Sequence, residues 1–152
     1  MSPDTVFQVA NTFAALSWIT MILFARVPIA TRIVIPIGAC GLLSFLYLYL
    51  IVTTLGHTEG GFDSLSSVSL LYQNRHALLA GWVHYLAFDM FIGCWEIRDA
   101  RRHGISILLI LPALFLTFLF GPVGLIAYLL IRFVSAHSVA IDEPENVPDA
   151  TA

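Results

Sequence analysis

The sequence predicts an all-α integral membrane protein: a bundle of four transmembrane helices with a short interfacial helix between the second and third. Three observations carry this reading. Of 152 residues, 59% are hydrophobic and 11% charged, with a mean hydropathy of +0.87, whereas a soluble domain carries about 25% charged residues. A chain this short has too much surface to cover with so few charges, so its apolar residues face lipid. Four apolar stretches reach the roughly 20 residues that a hydrocarbon core demands. Arginines gather in two of the short connections between them.

The four stretches are residues 6–25, 33–52, 76–97 and 105–131, and the first, second and fourth contain no charge. The first lacks the basic leader of a cleavable signal peptide and is too long for one. Between spans one and two lie Arg26 and Arg32; between three and four lie Arg98, Arg101 and Arg102. The other side has only Arg75 and Arg132, against Asp4, Glu59, Asp63 and the acidic tail. That bias places the two basic turns in the cytoplasm and both termini outside it. The link after span two opens on Gly56, Gly60 and Gly61, then sets Phe62, Leu65, Val68 and Tyr72 at helical spacing among serines. This pattern favours a short helix in the membrane interface over a reentrant turn. Residues 1–137 thus form one transmembrane domain, and 138–152, with two prolines and four acids, an acidic disordered tail.

Composition also excludes functions. A soluble enzyme and a disulfide-stapled secreted domain are out. A net charge of −3 without any lysine argues against a nucleic-acid partner. The missing lysine also removes Schiff-base chemistry. Cys40 and Cys94 sit inside apolar runs and read as packing residues.

Span three holds His76, His84, Asp89 and Glu96. An acid near the bilayer centre costs roughly 2.5–3.5 kcal/mol to insert and normally faces protein or a polar cavity. Glu96 and His76, nearer the two ends, read as interfacial charges. At roughly 100° per residue, Trp82, Tyr85, Asp89, Ile92 and Glu96 share a face, whereas His84 lies about 140° from Asp89. The two therefore cannot simply touch on one helix. Depth counting brings Asn11, Ser44, Tyr47 and Thr117 to their level, and no arginine. A neutral carboxylic acid in an apolar cavity can act as a general acid; the same residue can equally serve only to bridge helices through hydrogen bonds. Span four carries Pro112 and the run Gly121–Pro122–Val123–Gly124, which fits a bent or tilted helix.

At Trp82 the chain reads W-V-H-Y-L-A-F-D-M-F, and at Phe120 it reads F-G-P-V-G. These runs resemble the signature of the abscisic acid-deficient protein 4 family, small membrane proteins whose plant members are needed for neoxanthin formation. Trp82, His84, Asp89, Phe91, Pro122 and Gly124 match residue by residue, and the resemblance spans the four-span core. The link between the last two spans is shorter than in plants, and no plastid leader precedes span one. Both features look like a bacterial member in an inner membrane.

The resemblance implies an isomerase that opens an epoxide in a carotenoid or other lipophilic isoprenoid. Asp89 is then the acid and His84 the base, with Trp82 or Tyr85 stabilising the cationic charge; those two, the depth-matched Asn11, Tyr47 and Thr117, and Pro122 are the candidate substrate-binding residues. Epoxide opening to an allene and a tertiary alcohol needs no redox cofactor, and no metal site is expected, because His84 and Asp89 diverge. The competing reading is a non-catalytic protein that binds a lipid or carotenoid or supports a partner enzyme. A homo-oligomer is an open option, because four short helices barely enclose a cavity.

Overall fold

The structure, a computed structural model, describes residues 1–54, 56 and 58–136. The tail at 138–152 lies outside the described residues. Helix α1 spans Pro3–Leu23. The Ser2 side chain accepts from the Thr5 amide at 3.2 Å, Pro3 opens the helix and Asp4 sits in its first turn. Each of these suits a helix N-terminus, where amides are unpaired and the dipole is positive.

A π-helical segment, Ala30–Ala39, then runs directly into α2, Cys40–Thr54. Pro36 lies inside the π segment. Its ring removes one backbone donor and crowds the preceding turn, and a wider coil relieves that crowding. A short α3, Leu65–Leu71, is capped by Ser64, which accepts from the Ser67 amide at 3.1 Å. It falls where the serine-rich amphipathic pattern predicts a helix. Helix α4 spans Arg75–Arg102; the Asn74 side chain caps it, and Arg101 and Arg102 occupy its last turn.

Three helical stretches are long and apolar enough to cross a membrane: Pro3–Leu23, Ala30–Thr54 and Arg75–Arg102. The fourth predicted span is not one helix. It divides into α5, Ile107–Phe120, and α6, Pro122–Ala136. At 14 and 15 residues, about 21 and 22 Å, neither reaches across a core about 30 Å thick. The break is at Gly121, whose φ of 47° belongs to the left-handed region that favours glycine, and Pro122 starts the next helix. Gly124 lets the two arms close on each other. A Cβ there would lie 2.0 Å from the Thr117 amide nitrogen.

Helix α4 is the hub, packing against α1, the π segment, α2, α5 and α6. Its buried Ala80, Val83, Ala87, Met90 and Cys94 meet Ala10, Ala14, Trp18 and Met21 of α1, Leu43 and Leu50 of α2, and Ile110 and Leu114 of α5 in one core. Gly93 admits the Trp18 ring, which a Cβ would meet at 2.5 Å.

The path of α5 and α6 sets the two ends of the described chain relative to α4. Asp4 of α1 pairs with Arg75 at the start of α4, whereas Arg132 of α6 pairs with Asp99 near the end of α4. Residues 3 and 136 therefore lie toward opposite ends of α4. Only a hairpin that turns back can bring Arg132 to the level of Asp99.

Candidate functional site at the hairpin tip

Asp89 stands at the midpoint of the 28-residue α4, which is about 42 Å long. The hairpin tip meets it there: a Cβ on Gly121 would fall 2.6 Å from Asp89 Oδ1 and 3.0 Å from Oδ2. Glycine is thus required at the tip for space as well as for conformation. Tyr85, one turn earlier, interacts with the Asp89 carboxylate, and its hydroxyl donates to the Phe118 carbonyl at 3.4 Å. Asp89 is half-buried, and its Oδ2 is a buried oxygen without a hydrogen-bond partner among the described residues.

Trp82 lies beyond Tyr85, ring to ring at 5.3 Å. Its indole N–H donates to Asn11 Oδ1 of α1 at 2.8 Å, and Phe7 covers it at 5.6 Å. Trp82, Tyr85, Asn11 and Asp89 thus form one continuous face.

His84 belongs to another face. It is exposed, stacks near Phe88 at 4.5 Å and Tyr47 at 5.6 Å, and lines a groove of about 250 Å³ between α2, α3 and α4 with Tyr72 and Gly81. The divergence expected from helical spacing is present: nothing folds His84 toward the Asp89–Gly121 contact. Pro122 is exposed beside the tip.

Two residues take different roles from those expected. Thr117 donates to Glu96 Oε1 at 2.9 Å and also contacts Oε2 at 3.1 Å, so it serves Glu96 and not the His84–Asp89 level. Glu96 in turn is fully buried, not interfacial. Depth counting assumed that residues 105–131 cross the membrane once; after the turn at Gly121 that count no longer holds.

One cluster escaped sequence reasoning. Asp99 is 2% exposed and Arg132 0%. Arg132 Nε lies 2.8 Å from Asp99 Oδ2, which also accepts from the Tyr128 hydroxyl, and Arg132 reaches His103 Nε2 at 3.3 Å. A single acid within a basic turn, and Tyr128 and Arg132 at i, i+4 on the last helix, are the signals that could have found it. Cys40 and Cys94 are buried, free thiols, with Cys94 Sγ 3.4 Å from Met21 Sδ. Among the described residues no three His, Cys, Asp or Glu side chains group closely enough to hold a metal.

Fold and site together define a small polytopic helical membrane protein, built round one central helix whose midpoint acid abuts the tip of a helical hairpin. A family profile described as ABA DEFICIENT 4-like matches residues 5–128, and the chain belongs to that family. Neither a curated protein nor a solved structure matches it. The residues matched include α4 whole and the hairpin as far as Tyr128.

Proposed function

We propose that the protein binds a long apolar isoprenoid of carotenoid type within the membrane and opens an epoxide in it, Asp89 donating the proton to the epoxide oxygen. The observation that supports this is the Asp89 carboxyl at mid-depth, with one buried oxygen unpartnered beside the hairpin tip. A buried polar group left unsatisfied is costly, and such groups in membrane helices mark ligand or proton sites. Family membership supports the substrate class.

The step balances without a redox partner. Asp89 in its acid form protonates the oxygen as the C–O bond breaks, giving the tertiary alcohol. The adjacent vinylic carbon then loses its proton, forming the allene. Because His84 faces the α2 groove, the Asp89 carboxylate is itself the base best placed to take that proton, which restores the acid. Tyr85 and Trp82, along the same face, can stabilise the intervening cationic charge. His84 then lines the groove and holds the substrate with Tyr47. This revises the acid–base pairing of Asp89 with His84 in favour of one group acting twice.

A non-catalytic carrier of the same ligand is the second reading, favoured by the separation of His84 from Asp89. Purified protein in lipid nanodiscs, incubated with a 5,6-epoxycarotenoid and analysed for an isomer of unchanged mass, decides between them. Conversion that Asp89→Asn abolishes supports the isomerase. Retention of pigment with no conversion supports the carrier.

A further inference from the structure

Beyond the mid-depth site, four arginines converge at the C-terminal end of α4. Arg32, from the π segment, and Arg98, Arg101 and Arg102, from α4, are the residues that line a pocket of about 180 Å³. We propose that this pocket binds the phosphate headgroup of an anionic membrane lipid.

Arginines at a membrane face are ordinary, and a diffuse basic rim would satisfy the charge bias of the sequence. The arrangement here is more specific. Arg98 donates to the Thr31 carbonyl at 2.8 Å and Arg101 to the Ala25 carbonyl at 3.4 Å. Each bond pins a guanidinium against the turn after α1 or the start of the π segment. A guanidinium carries five N–H donors, so one bond to the backbone leaves a fork able to grip phosphate.

Among the described residues no carboxylate offsets the four charges. Among the described residues none of them pairs with an acid, and the two nearest acids on α4 are engaged elsewhere, Glu96 with Thr117 and Asp99 with Arg132. Burial of that second pair keeps Asp99 out of the pocket it would otherwise neutralise. The pocket therefore holds concentrated positive charge on two elements that meet at one end of the bundle.

A lipid is the source of phosphate that the surroundings favour. Ile29, Ile33, Val34 and Ile37 flank Arg32 along the π segment and are exposed, at 51–68%. A phosphate seated among the arginines would lead an acyl chain directly onto this apolar strip. Free phosphate would make no use of it.

The test is native mass spectrometry of the detergent-purified protein, titrated in turn with phosphatidylglycerol, phosphatidylcholine and inorganic phosphate. Phosphatidylglycerol should be retained at least tenfold more tightly than phosphatidylcholine. In Arg32→Gln/Arg102→Gln that retention should weaken by about 30-fold, the effect of two basic contacts. Should the double variant fail to fold, Arg102→Gln alone should show about a fivefold loss. Arg75→Gln, at the other end of α4, should leave retention unchanged. Equal retention of the two lipids, unaltered binding in the arginine variants, or an equal loss in Arg75→Gln would overturn the proposal. Displacement of the lipid by an equal concentration of inorganic phosphate would also overturn it, assigning the pocket to the free anion.

Discussion

Asp99 of α4 and Arg132 of α6 form an ion pair at 2.8 Å with neither side chain more than 2% exposed. The pair fixes where the second arm of the hairpin ends. Removing one partner strands the other charge, which costs about 3–5 kcal/mol in a buried pair. Arg132→Met and Asp99→Asn should each lower the unfolding temperature in detergent sharply. The double variant Asp99→Leu/Arg132→Met should recover much of that loss, because no charge is then left unpaired. Additive losses would mean the two side chains are not coupled.

The hairpin predicts a specific topology. A cysteine introduced at Ala136 should be labelled from the same side of the membrane as one at His103. A cysteine at Ser2 should be labelled from the other. Labelling of positions 2 and 136 from one side would restore the single crossing expected from the hydropathy of residues 105–131.

Closure of the hairpin depends on two glycines. Gly124→Val places its Cβ against the Thr117 backbone and should destabilise the protein by about 1–3 kcal/mol or more. Gly121→Ala adds a Cβ against Asp89 at a positive φ, and should disturb the site as well as the fold. Thermal unfolding checks the first, and ligand retention at matched folded fraction checks the second.

Thr117 and Glu96 form a second anchor inside the core. Thr117→Val leaves a buried carboxyl without its donor and should cost about 1–3 kcal/mol. Thr117→Ser, which keeps the hydroxyl, should cost less. If both substitutions prove equal, the hydroxyl is not what matters.

For turnover of an epoxycarotenoid, Asp89→Asn should lower the rate by about 10²–10⁴-fold, the usual weight of proton transfer, with little change in stability. His84→Gln should raise KM with a smaller effect on kcat, because His84 lines the groove. An equal collapse of kcat in both variants would reinstate His84 as the base.

The first three membrane helices and α3 could be read from the sequence because hydropathy and helical spacing act locally. The same local signals cannot distinguish one long span from two arms of a hairpin, since both are apolar throughout. Gly121–Pro122 marks a break in either case, and it takes the contact of Gly124 with Thr117 and the partners of Tyr128 and Arg132 to show that the chain reverses there. At the site, helical periodicity separated His84 from Asp89 and grouped Trp82, Tyr85 and Asp89. It could not assign Thr117 to Glu96, because that contact depends on how far along α4 the arm α5 reaches.

The half-depth hairpin also constrains how the protein is made. Its tip leaves helical geometry at the level of Asp89, and its backbone is satisfied locally: Gly121 donates to the Thr117 carbonyl at 2.9 Å, and Gly124 to the Gly121 carbonyl at 3.0 Å. Non-helical backbone is tolerated at such depth only where protein covers it. During synthesis α5 and α6 thus have no stable resting place in lipid as separate crossings, and α4 must already be inserted to receive them. The order of the chain suits that requirement, since α4 precedes α5 and α6 in the sequence.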